Sequence, residues 1–108
     1  ESGLGDREAP AATIARGREL IASDERCGAC HRFRDNGTDL GTACDLTEWA
    51  SREWLIGIIT DPAHERFYGE SNDRMPSFGG GQEGATPRLS VEQIGLIADW
   101  LRGQWYRP

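Results

Sequence analysis

The stretch ERCGACHRF, residues 25–33, places two cysteines and one histidine within five consecutive positions. The whole chain of 108 residues contains only three cysteines and two histidines, so this segment concentrates most of its thiol and imidazole chemistry. The spacing Cys27-x-x-Cys30-His31 is found in zinc sites, in redox dithiols and in segments that attach a haem covalently. Three chemistries are therefore compatible with the motif, and the rest of the chain has to distinguish them.

The composition indicates one small domain with little apolar material of its own. Only 37% of the residues are hydrophobic, and there are 14 glycines and 5 prolines, so a bound cofactor would supplement the core. All 12 basic residues are arginine, and there are 18 acidic residues. The resulting net charge of −6 argues against a nucleic-acid partner. No stretch approaches the roughly 18 to 20 apolar residues of a membrane span, so we expect no direct span in this chain.

Residues 1–9 are predicted to form a flexible polar tail, and residues 10–108 a single domain. The chain starts at Glu1 without an initiator methionine or a signal-peptide pattern, which favours a mature product or a domain cut from a longer protein. The odd number of cysteines argues against a framework of disulfides.

Three segments have apolar residues at helical spacing, and none has the alternation of a strand. The first helix is predicted over residues 11–23. The second is predicted to begin after a cap at Ser51. The third is predicted over residues 90–105, because Ser90 and Gln93 form a capping box ahead of an apolar stripe. The chain is therefore predicted to be all-α.

A zinc site or a redox dithiol would each need features that the rest of the chain lacks. A zinc-stabilised interaction module could use Cys27, Cys30, His31 and Cys44, but adjacent Cys30 and His31 are awkward ligands for one tetrahedral ion, and a second pair of ligands is missing. A thioredoxin-like dithiol needs a strand before its first cysteine, and no strand is predicted there.

A haem attached at the motif would need a sixth ligand for its iron, usually a methionine or a second histidine. The only methionine is Met75, which is followed by Pro76 in a polar, glycine-rich loop over residues 69–89. A methionine commonly fills a gap in a core, but this loop is far from any helical stripe. A loop this long in a small domain is typical of one that wraps a ligand. His64 is the alternative, in a charged turn that favours an exposed side chain.

Taken together, these motifs resemble class I cytochrome c, the monohaem family. They are the Cys27-x-x-Cys30-His31 motif after a helix with Gly17-x-x-Leu20-Ile21, the lone Met75-Pro76 in a later loop, and the segment IADWL in the last helix. More narrowly, DLTEWASREWLIGIITDPAHERFYGESNDRMPSF, residues 45–78, resembles cytochrome c domains that are associated with or fused to bacterial membrane cytochrome b and oxidase subunits.

The resemblance implies an all-α class I cytochrome c fold, with about three to five helices around one covalently bound haem c. In that fold the first and last helices would cross, here near Gly17 and Trp100. Cys27 and Cys30 would form the thioether bonds to the haem. His31 would be the proximal ligand of the iron and Met75 the distal ligand. Side chains expected to pack either on the haem or in a plain core are Trp54, Phe67 and Phe78.

The function implied is that of a single-electron carrier and not of an enzyme. Its partners would be larger respiratory redox proteins, such as a membrane cytochrome b-type complex or a terminal oxidase. Because covalent haem c is installed outside the cytoplasm, the resemblance implies a periplasmic or equivalent location, with a membrane subunit as a tether in some arrangements. The alternative function is a c-haem peroxidase or gas-binding domain with a labile sixth ligand.

The chain departs from the family pattern after the motif. The family commonly has Gly-Pro-x-Leu there, and the proline carbonyl accepts a hydrogen bond from the proximal imidazole. The matching residues here are 43–46, Ala-Cys-Asp-Leu. We therefore expect Cys44 to lie beside His31 with a buried, structural thiol; the alternative is an exposed thiol able to link two chains.

Overall fold

The computed structural model describes residues 10–23, 25–37, 43–81 and 85–104. Within these ranges the chain forms three α-helices and two short 3₁₀ turns, and its only β pairing is an isolated bridge between Phe33 and Asn36. The helices are α1 (Ala11–Ala22), α2 (Arg52–Thr60) and α3 (Val91–Leu101), and the turns are Cys27–Ala29 and Gly69–Ser71. The all-α prediction is confirmed for this part of the chain. The predicted tail at residues 1–9 lies outside it.

Both predicted helix caps are present. The Ser51 side chain accepts a hydrogen bond from the backbone N–H of Trp54 at 3.1 Å, which begins α2. At α3, the Ser90 hydroxyl accepts from the Gln93 N–H at 3.2 Å, and the Gln93 side chain accepts from the Ser90 N–H at 2.8 Å. These bonds satisfy N–H groups that have no partner within a helix, which is why α2 and α3 start where the sequence predicts.

Helix α3 ends earlier than predicted, at Leu101. Two residues later Gly103 has a φ of +69°, the left-handed conformation that commonly follows a helix. The predicted place of Trp105 on the apolar face of this helix lies outside the described residues. With lengths from 9 to 12 residues, none of the three described helices could cross a membrane.

The core lies between α2, α3 and the turn that follows α2. The buried side chains that touch one another there, called the core cluster below, are Trp54, Ile58, Ile59, Phe67 and Ile94. Two polar contacts hold the helices together at its edge. Arg52 donates to Asp99 at 2.7 Å, and Arg102 donates to the Ala50 carbonyl oxygen at 2.8 Å. These contacts fix α2 and Ala50, which lies shortly before it, against α3 and its C-terminal end.

The predicted crossing of the first and last helices is wrong. Among the described elements, α1 packs only against the Cys27–Ala29 turn, and no residue of α1 is buried. A Cβ added at Gly17 would meet no atom within 4 Å, and Trp100 is 60% exposed. The reason is the composition of α1, which has only three large apolar side chains, Ile14, Leu20 and Ile21, and also three charged ones, two of which form the exposed Arg16–Glu19 ion pair. Burying that helix would remove charges from water for little apolar gain.

Candidate functional site

The motif forms a 3₁₀ turn, Cys27–Ala29, close behind the end of α1. The Gly28 N–H donates to the Ser23 carbonyl oxygen at 3.0 Å, and the His31 N–H donates to the Cys27 carbonyl oxygen at 2.8 Å. Gly28 is buried, whereas Cys27 and Cys30 are both exposed. The turn therefore packs on its glycine and presents two thiols, three residues apart, to solvent.

His31 is half-buried, and its Nδ1 atom lies 2.7 Å from the Cys44 carbonyl oxygen. A carbonyl oxygen can only accept a hydrogen bond, so Nδ1 must carry the proton. In the neutral ring Nε2 then has a lone pair and can bind a metal. The expected contact between the Cys44 carbonyl and His31 is confirmed.

The residues after Cys44 are held in place by three hydrogen bonds. The Asp45 N–H donates to the Arg66 carbonyl oxygen at 3.0 Å, and the Leu46 N–H donates to the Arg32 carbonyl oxygen at 2.8 Å. The indole N–H of Trp54, a residue of the core cluster, donates to the Asp45 carbonyl oxygen at 3.0 Å. Together they supply the rigidity that a proline would otherwise give this segment, and they keep the accepting carbonyl against the imidazole.

The thiol of Cys44 is half-buried and packs against the core cluster. Burial raises the pKa of the Cys44 thiol; a hydrogen bond to its own backbone opposes this shift, and the negative charge of Asp45 adds to it. The expected buried thiol is thus only partly enclosed. Its neutral form is favoured, which suits a structural side chain better than a nucleophile.

Gly37 lies directly behind the histidine. Its φ is +97°, and an added Cβ would overlap the His31 carbonyl oxygen. We expect Gly37→Ala to lower the free energy of unfolding by roughly 2 kcal/mol or more, because the left-handed conformation alone costs about 1 to 2 kcal/mol and the overlap adds to it. Urea unfolding of the two proteins measures the difference.

The control for this prediction is Gly69→Ala. Gly69 also has a positive φ, +53°, but a Cβ there would meet nothing within 4 Å. This variant should show the conformational cost alone. An equal loss of stability in both variants would contradict a specific close approach between Gly37 and His31.

Met75 is half-buried and, like Cys44, packs against the core cluster. The core cluster therefore connects the segment behind His31 with the methionine loop. An open cleft of about 450 Å³ lies beside Met75, lined by Ala63, Asn72, Met75, Pro76, Ser77, Gly80, Ala85, Thr86 and Arg88. The three motif residues are not among the described residues that line this cleft. Of the four predicted site residues, this cleft is lined by Met75 alone.

The remaining candidates lie around or near the core cluster. His64 is exposed, and its Nδ1 accepts a hydrogen bond from the Arg66 N–H at 3.2 Å. Trp54 and Phe67 belong to the core cluster, where their rings meet edge to face at 5.4 Å. Phe78 is half-buried against the same cluster. The sequence did not indicate Trp54 as the residue that holds the segment behind His31, although a buried indole N–H needs some partner.

The four candidate residues have the types of donor atom that hold a haem c. In the described part of the chain, no three side chains among His, Cys, Asp and Glu come together as metal ligands, so the four candidate zinc ligands are not assembled. A haem needs only two protein donors to its iron; Cys27 and Cys30 have the thiols that attachment would need, and His31 Nε2 and the Met75 thioether are donors of the types that would bind the iron. Comparison of the chain with models of protein families, with curated proteins and with solved structures finds no match.

Proposed function

We propose that this chain is a monohaem c-type cytochrome domain of class I that carries single electrons. The observation that supports it most is the 2.7 Å contact from His31 Nδ1 to the Cys44 carbonyl oxygen. A second partner of this kind is typical of histidines that bind metals, because it fixes the ring and its tautomer. Here the oriented histidine directly follows two exposed thiols.

Each residue of the site has a distinct part in this proposal. Cys27 and Cys30 would hold the haem through thioether bonds, His31 would bind the iron through Nε2, and Met75 would bind it through its thioether sulfur. The haem supplies the one-electron couple between ferric and ferrous iron. The soft thioether of Met75 would favour the ferrous form, and two protein ligands would leave no position on the iron for a substrate.

The order of elements along the chain supports the class I assignment. A helix is followed by the motif, a long connection, a second helix, the loop with Met75, and a last helix. The separated terminal helices are the departure from that fold. We propose that the domain works outside the cytoplasm, in a periplasm or a similar space, because covalent haem c is attached there.

The proposed partners are larger respiratory redox proteins, such as a membrane cytochrome b-type complex or a terminal oxidase. The net charge of −6 favours a partner whose docking surface is basic, because complementary charge accelerates association. Such association would weaken as salt is added.

The absorption spectrum of the protein, produced in cells that attach haem c, tests the proposal. We expect sharp alpha and beta bands on reduction and a weak far-red band of the ferric protein from sulfur ligation. A high-spin spectrum would instead support a peroxidase or gas-binding domain. A colourless protein with one zinc per chain would support the zinc-stabilised module.

Thiol counting gives an independent prediction. The chain has three cysteines, and thioether bonds would consume two of them. Under denaturing conditions, the haem-loaded protein should therefore show one reactive thiol, that of Cys44. In the native protein this thiol should react more slowly, because its side chain is half-buried.

The same sample on a non-reducing gel checks the state of Cys44, and we expect a monomer. A quantitative disulfide-linked dimer would contradict the partly enclosed thiol. Three reactive thiols in the denatured protein would contradict covalent attachment.

A further inference from the structure

The loop that carries Met75 is held to the fold by the packing of Met75 and Phe78 against the core cluster and by several polar contacts. It runs from the Gly69–Ser71 turn towards α3, and it forms no helix or strand of its own between residues 72 and 81. Because such loops are usually mobile, an axial ligand on one requires local constraints. The contacts around Met75 provide them.

One side chain satisfies both backbone polar groups of Met75. The Asn72 Nδ2 group donates to the Met75 carbonyl oxygen at 2.8 Å, and the Asn72 Oδ1 atom accepts from the Met75 N–H at 3.2 Å. Asn72 is half-buried, so these bonds are partly shielded from competing water. An amide can do this because it has a donor and an acceptor on one rigid plane, whereas an ionised carboxylate can only accept.

A second set of contacts fixes the chain just after Met75. The Ser77 hydroxyl donates to Asp61 Oδ1 at 3.1 Å, and the Phe78 N–H donates to the Ile59 carbonyl oxygen at 3.2 Å. Asp61 lies at the end of α2, so this attachment leads straight to the core cluster. Pro76, between the two sets, restricts its own φ and the conformation of the residue before it.

We infer that Asn72 is a positioning residue for Met75, with the Ser77–Asp61 hydrogen bond as a second attachment on the other side. This inference rests on the proposed function, in which Met75 binds the iron. Asn72 acts through the backbone of Met75 and holds its thioether in one place. Without that restraint, the thioether competes less well with an added ligand for the iron.

The test compares haem-loaded variants for their affinity towards added imidazole and for the far-red sulfur band of the ferric protein. Asn72→Ala should raise the imidazole affinity by about tenfold and weaken the band, because two hydrogen bonds that hold the ligand are lost. Ser77→Ala removes a single hydrogen bond, to Asp61, that does not involve Met75 itself. It should raise the imidazole affinity by less than Asn72→Ala does.

Asp73→Ala is the matched control. Asp73 is adjacent in the loop and exposed, and it lies 3.6 Å from Arg74, whose side chain is also exposed. Its removal should leave the imidazole affinity and the sulfur band unchanged. An equal rise in affinity for Asp73→Ala and Asn72→Ala would contradict a specific role for Asn72.

Hydrogen exchange at the Met75 amide provides a readout that does not depend on the iron. In the wild type this N–H should be protected, and in Asn72→Ala it should exchange faster while the amides of α3 stay unchanged. Unchanged exchange and unchanged imidazole affinity in Asn72→Ala would overturn the inference and leave the proposed function intact. A wild type without a sulfur band, and with the same spectrum after Met75→Ala, would overturn the proposed ligation itself.

Discussion

Replacing Met75 by alanine should lower the reduction potential of the haem-loaded protein by on the order of 0.1 V, a modest part of the roughly 0.8 V that axial ligands can span. The chain has no other methionine, so no second thioether can take its place. The loss of a soft ligand removes the preference for ferrous iron. Spectroelectrochemical titration measures the shift. Carbon monoxide should bind the reduced variant and not the wild type.

The control for this prediction is His64→Ala. His64 is exposed, and its Nδ1 already accepts a hydrogen bond from Arg66. We expect this variant to have the wild-type spectrum and potential. A Met75→Ala protein that keeps the wild-type spectrum would show that another residue binds the iron as its sixth ligand. The spectrum of a variant with both Met75→Ala and His64→Ala would then show whether that residue is His64.

Replacing both Cys27 and Cys30 by alanine should abolish covalent haem attachment. Cys27 begins the 3₁₀ turn and Cys30 directly follows it, and each would form a single thioether bond. The double variant should therefore lose all haem staining on a denaturing gel, whereas each single variant should retain some. Since the core is small, loss of haem should also lower the melting temperature.

Cys44→Ala serves as the control for the cysteine pair. Its thiol packs against the core cluster, and the carbonyl that contacts His31 belongs to the backbone and survives the substitution. We expect full haem staining with a slightly less stable protein. Haem staining that persists in the double variant, or disappears in Cys44→Ala, would assign the attachment to other residues.

Helix beginnings could be predicted from the sequence because a cap involves residues only three positions apart. Ser51 accepts from Trp54, and Ser90 and Gln93 bond to each other, as their spacing predicts. The end of α3 was less predictable. The apolar pattern continues to Trp105, whereas the helix ends at Leu101, before the left-handed Gly103.

The site was predictable in part for a similar reason. The motif occupies consecutive positions, and Met75 could be identified because it is the only methionine in the sequence. The contact from His31 to Cys44 followed from resemblance to a family, since the two residues are 13 positions apart. Asn72 was missed although it is near Met75, because an asparagine three positions before a residue fits a helix cap or a turn equally well.

By itself, the sequence determined the all-α class and two helix caps, and it indicated the side chains that we propose to hold a haem. These depend on short-range spacing and on residue chemistry. Only the tertiary structure decided that α1 and α3 stay apart, that Trp54 holds the segment behind His31, and that Asn72 and Asp61 restrain the loop of Met75. Such contacts depend on which groups compete best for burial and for hydrogen bonds, and that competition involves the whole chain at once.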